Sequence, residues 1–185
     1  MKLEAVTPGS ILTFWFSSPA KKYWFQSSPE FDNEIRIKFE YIWEQASQDL
    51  LDHWQSAPEG TLALIIVLDQ FPLNMYRGTS KSFSTEHKAI ELSHYAVANK
   101  MDMKLTNNQL SFLYMPLMHS ESIDDQNLSV KLFEKAALES NLRFAKHHRD
   151  IIQKFKRFPH RNKILNREST EEELKYLASP EAFMG

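Results

Sequence analysis

No cysteine occurs in the 185-residue chain. That excludes thiolate nucleophiles, disulfides, zinc knuckles and iron–sulfur clusters together, and it fits a reducing compartment. Glycine is nearly as scarce, at 4 residues. Few positions can therefore take positive φ, which disfavours tight hairpins and a Gly-rich phosphate loop. No apolar run comes near the roughly 20 residues that span a bilayer, so no membrane association is expected. The opening residues MKLEAVTPGSILTFWF are interrupted by Glu4 and Pro8 and lead to no small-residue cleavage site, so no leader is read there and the expected location is cytoplasmic. Neither sign of charge dominates: 22 Lys and Arg against 24 Asp and Glu leave a net charge of -2. A broad basic face for nucleic acid is not expected. No Walker loop, dinucleotide fingerprint, metalloprotease helix motif or serine elbow is present.

What the chain does contain is helical periodicity, and residues 1–185 read as one all-α domain with about seven to eight helices. A short first helix carries Ile11, Leu12, Trp15 and Phe16, and the pair Trp24-Phe25 is expected to plug the core from the following connection. After the cap Ser28-Pro29, residues Phe31, Ile35, Phe39, Ile42, Trp43, Ala46 and Leu50 recur on one face. A third helix starts after Ser56-Ala57-Pro58-Glu59 and is apolar all round from Leu62 to Leu68, the pattern of a buried helix. A short strand has the same pattern, but the Ser/Pro/Glu start favours helix. Phe71-Pro72 is expected to end it, because proline pushes its predecessor out of the α region. A fourth helix, about Ser84 to Lys100, has Ile90 and Val97 inward. The fifth opens with the box Thr106-Asn107-Asn108-Gln109 and runs nearly apolar to Met118, with Pro116 as an expected kink. Further helices follow Ser122 and Ser140-Asn141, and a last one is capped at Ser169-Thr170 and ends near Leu177. Phe71-Pro72-Leu73-Asn74 with Arg77, and Phe158-Pro159-His160-Arg161-Asn162 with Arg167, read as an internal echo, either a duplicated corner or a chance match.

Three segments carry a resemblance: Leu68 to Asn74, Phe112 to Glu121 (FLYMPLMHSE) and Arg157 to Asn162 (RFPHRN). With Phe14-Trp15-Phe16 and Trp24-Phe25, they resemble the signature segments of the bacterial domain of unknown function 924 family over nearly the whole chain. The resemblance implies a tetratricopeptide-like architecture, antiparallel helix pairs stacked in a right-handed superhelix; the usual tetratricopeptide consensus is not visible. One departure stands out: Leu73 occupies a position where the family pattern has arginine. An anion site at that corner is therefore expected to be weaker here.

In a stack of antiparallel helices, alternate helices end on one side. This gathers Asp69, Gln70, Asn74 and Arg77 with His119, Ser120 and Glu121 and with Arg157, His160, Arg161 and Asn162. His119, Glu121 and His160 are the candidates for acid–base work, and His119, Glu121 and Asp69 the candidates for a metal. Asp69, Asn74, Arg77, Tyr114, Arg157, Arg161, Asn162 and Arg167 are the candidate ligand-binding residues. Each also has a structural reading, as a hydrogen bond to a loop or a cap on a helix carbonyl; His148, on an apolar stripe, reads as a satisfied core histidine. The favoured function is a binding module for a peptide or small anionic molecule. The alternative is an enzyme acting on a small anionic substrate. No cofactor is identified.

Overall fold

The computed structural model of the chain describes residues 6–185; Glu4, on which the leader reading partly rests, lies outside the described residues. The chain is 71% helical, with no strand among the described residues. The helices are α1 (Pro8–Trp15), α2 (Ser18–Lys21), α3 (Pro29–Ser47), α4 (Pro58–Ile65), α5 (Phe71–Met75), α6 (Glu86–Ala98), α7 (Asn107–His119), α8 (Ile123–Lys135), α9 (Glu139–Phe155) and α10 (Glu171–Leu177). A π turn at Ile66–Gln70 joins α4 to α5 without a break, so these helices form nine rods among the described residues. The short α2 accounts for the rod beyond the expected seven to eight.

Helix starts follow local chemistry. The side chains of Thr7, Ser17, Ser28, Ser122 and Thr170 each accept from a backbone N–H of the first turn. Prolines 8, 29 and 58 sit in first turns, where the missing N–H costs nothing. The Gln109 side chain closes its box by accepting from the Thr106 N–H at 2.9 Å.

The α4–π–α5 rod and α7 form the centre. Every residue from Leu62 to Leu68 is buried, as is every residue from Phe112 to Met118. α1 packs on α4, α3 on α5, α6 on α7, α7 on α8 and α8 on α9. Trp15 joins the layers, its ring 5.8 Å from Phe71 and 5.5 Å from Phe112. No helix is long and apolar enough to cross a membrane among the described residues.

Several expectations need correcting. The rod does not stop at Phe71-Pro72; Phe71 keeps helical φ -63 and ψ -45, and its N–H reaches back to the Ile66 carbonyl. Proline 72 removes the donor that would serve the Leu68 carbonyl, and the wider π turn relieves the ring clash. Thr85 Oγ1 replaces the lost donor, 2.6 Å from Leu68 O. At the second Phe-Pro, Phe158 is extended (φ -88, ψ 108) and precedes a 3-10 turn at Pro159–Arg161. The two segments are thus not copies of one corner. Leu50 is 58% exposed, because α3 ends at Ser47 and Asp49 turns left-handed (φ 63). Trp24 packs on Phe112 at 4.7 Å, but Phe25 is 76% exposed and plugs nothing. The inward face of α6 is Ala89, Leu92, Ser93 and Ala96; Ile90 and Val97 only flank it.

Candidate functional site

The π turn fixes the centre of the polar end. It places Asp69, a carboxylate only 3% exposed, within the buried rod, where its side chain meets His119 at the end of α7. His119 Nδ1 donates to Asp69 Oδ1 at 2.9 Å, and Gln70 Nε2 donates to Asp69 Oδ2 at 2.5 Å. Burial pushes the His119 imidazole toward neutrality, but the Asp69 carboxylate outweighs it and raises the pKa above the ordinary value. The other ring nitrogen, Nε2, has no partner among the described residues and is not sealed from solvent.

Behind this dyad, Arg161 is clamped. Its guanidinium carbon lies 4.6 Å from both the Phe83 and the Phe158 ring centres. Nη1 donates to both Glu86 carboxylate oxygens at 3.1 and 2.9 Å, and Nη2 donates to the His119 carbonyl at 3.0 Å. Burial raises the pKa of Glu86, and Arg161 opposes the rise. The clamp ties the start of α6 to the end of α7 and to the turn after α9.

Two further ion pairs complete this end. Glu121 accepts from Arg167 at 2.7 and 2.9 Å and from the Phe158 N–H at 2.8 Å. Burial would raise the Glu121 pKa, but Arg167 and that N–H hold it below the usual carboxylate range. Glu173, 2% exposed, accepts from Arg157 at 2.6 and 2.8 Å, from Asn162 and from the Thr170 N–H. The Arg157 hydrogen bonds hold its pKa down at about 2.

The sequence-predicted residues therefore divide. Asp69 and His119 meet directly; Glu121, Arg157, Arg161, Asn162 and Arg167 lie in the adjoining ion pairs. His160 borders the cluster and touches Phe158 rather than a carboxylate. Glu121 does not reach the dyad to make a metal site, since its oxygens face Arg167 and Phe158. No group of three or more His, Asp or Glu placed to hold a metal occurs among the described residues. Tyr114 points the other way, donating to Asp102 at 2.8 Å. His148 is the satisfied core histidine expected, its Nδ1 donating to Phe144 O at 2.7 Å.

Asn74 and Arg77 also leave the cluster. They lie where α3 packs on α5, and there Pro29, Asp32, Asn33, Arg36, Asn74, Met75 and Arg77 line an open recess of about 270 Å³. Asn74 Nδ2 donates to the Gln70 carbonyl at 2.9 Å, and Arg77 donates to Asn74 Oδ1 at 3.3 Å and to Asp32 at 2.8 and 3.2 Å. Arg36 donates to the Met75 carbonyl. Leu73 is half-buried and does not line the recess. Sequence reasoning missed Glu86, Asp32, Asn33 and Arg36. Glu86 was reachable as the first residue of a helix beginning on the polar side; Arg36 and Asn33 carry no signal beyond lying on the polar face of α3.

The family model for a bacterial protein of unknown function, DUF924, matches residues 11–181. The chain belongs to that family. A solved structure of a protein of unknown function from Agrobacterium tumefaciens is similar at 35% identity and a TM-score of 0.88, over 92% of this chain and 96% of that one. No curated protein matches. Membership assigns no activity to the residues around Asp69, His119 and Arg161.

Proposed function

We propose that the protein is a binding module for a small anionic molecule, taken up in the recess between α3 and the end of α5. One observation carries this reading: two guanidinium groups, Arg36 and Arg77, and two amides, Asn33 and Asn74, line the same 270 Å³ recess. Against them stands a single carboxylate, Asp32, already bonded to Arg77 and to the Ser27 hydroxyl at 2.6 Å. The recess therefore carries an excess positive charge, and the Arg77 side chain, 59% exposed, can turn a donor outward. The recess is smaller than the roughly 300–1,000 Å³ of sites for drug-sized ligands. That fits a phosphate or carboxylate metabolite of few atoms better than a peptide.

Calorimetric titration with inorganic phosphate, short dicarboxylates and small phosphorylated metabolites tests it. A charge-assisted hydrogen bond is worth roughly 1.5–3 kcal/mol. Arg36→Ala and Arg77→Ala should each weaken binding about tenfold or more. Equal affinity in the wild type and both variants would remove the recess as the site.

A second reading is favoured by the Asp69–His119 pair. A buried carboxylate that orients Nδ1 of an imidazole whose Nε2 has no partner among the described residues suits a general base or acid. In that reading the protein is an enzyme acting on a small anionic substrate, with Glu86 as a second proton carrier. His119→Gln separates the readings: it abolishes turnover in the second and leaves anion affinity unchanged in the first.

A further inference from the structure

We propose that residues 178–185, which follow α10, form an acid-labile strap, seated on the neutral imidazoles of His148 and His160 and released when these take up protons. The seat is aromatic. The Phe183 ring centre lies 4.4 Å from that of His148 and 5.0 Å from that of His160. Phe158 lies beneath both, 5.4 Å from His148 and 5.6 Å from His160. Gly185 presses its backbone onto the same ring: a Cβ there would stand 3.2 Å from His160 Cδ2 and 3.3 Å from Nε2. Beyond this stacking, the strap is fastened to α10 near its start by Ala178 N–H donating to Leu174 O and Ser179 N–H and Oγ donating to Tyr176 O, and further along only by the Phe183 N–H donating to Tyr176 Oη at 2.9 Å. A segment held by one ring and few hydrogen bonds opens far more readily than the core.

The imidazoles under the strap are poorly placed to carry charge. His160 Nδ1 is buried without a partner among the described residues, and His148 Nδ1 meets only the Phe144 carbonyl. The charged neighbours mostly oppose protonation. His148 faces His147 on its own helix, His119 at the end of α7 and His160; His160 faces Arg161, Arg167 and His119, with Glu121 alone of opposite sign. Glu181, the strap's one charged side chain, is exposed. Burial therefore depresses His148 to about 3 and His160 to about 4, from an ordinary 6.5. The seated state binds fewer protons than the released state. Its advantage therefore declines as pH falls toward 4.

The inference is independent of the anion-binding reading, and the full-length chain tests it. Amide hydrogen exchange of residues 178–185, corrected for the intrinsic pH dependence, should show the opening constant rising from pH 7.5 to 5, by up to about tenfold per pH unit for each imidazole uncovered. Amides of α7 should stay protected over the same range. By NMR titration, Phe183→Ala should move the His160 pKa back toward its ordinary value, and His160→Phe should blunt the pH dependence of strap exchange. Strap protection that is the same at both pH values would overturn the proposal. So would loss of α7 protection in step with the strap, or a His160 titration unmoved by Phe183→Ala.

Discussion

Phe71-Pro72 and Phe158-Pro159 are the same dipeptide, each followed by an asparagine and an arginine, and they do opposite things. The first lies within a rod and the second begins a turn. Around the first, Arg77 is largely exposed and faces a recess; around the second, the Arg161 side chain is 8% exposed, clamped between two rings and fixed to Glu86. A proline interrupts a helix unless its ring clash is relieved and the carbonyl it strands finds another donor. Thr85 supplies that donor to Leu68, so the first segment stays helical and the second is free to form a cap. The closed corner holds helices together, while the open one leaves Arg77 at the surface of a recess.

Arg161→Ala is the hardest blow to the closed corner. Removing one partner of a buried pair typically costs about 3–5 kcal/mol, because the other charge is left uncompensated. Glu86, its pKa already raised by burial, would then rise further. A group raised in the folded state favours folding at low pH, so the variant should lose less at pH 5 than at pH 8 in a urea titration. Equal loss at both would mean that Glu86 finds another cation.

The closed corner should also weaken in acid. His148, 5% exposed and depressed to about 3 from 6.5, stabilises the fold fully above pH 6.5 and progressively less below it. Between pH 7 and 5 this one group should cost about 2 kcal/mol. Glu173, held at about 2 against an ordinary 4.5, adds a second loss that begins only below 4.5. Guanidinium melts at pH 7, 5 and 3.5 check both, and His148→Gln should flatten the first step alone.

Thr85→Val tests why the first Phe-Pro stays helical. It strands the Leu68 carbonyl and also removes the acceptor 3.1 Å from Trp43 Nε1. An unsatisfied buried group costs roughly 1–3 kcal/mol. A silent Thr85→Val in a denaturant titration would show that the π turn alone sustains the rod.

The smallest effect on stability belongs to the open corner. Arg77→Ala should change it by less than about 0.5 kcal/mol, as befits an exposed ion pair. If Arg77→Ala were as damaging as Arg161→Ala, the recess would be structural and the contrast between the corners would fail.

The all-α class, the caps at Ser28, Ser122 and Thr170 and the two buried central helices were legible from the chain itself, because capping and helical periodicity are local. The meeting of Asp69 with His119 was legible only as a common end of alternate helices. The sequence could not show that Phe71-Pro72 continues a helix, since the deciding donor, Thr85, is 17 residues from Leu68. Nor could it show that Arg161 is buried and Arg77 exposed, for that depends on which rings and carboxylates other helices bring to each guanidinium. Local propensity set where the helices begin. Packing between segments distant in sequence decided which polar side chains became fastenings and which stayed exposed.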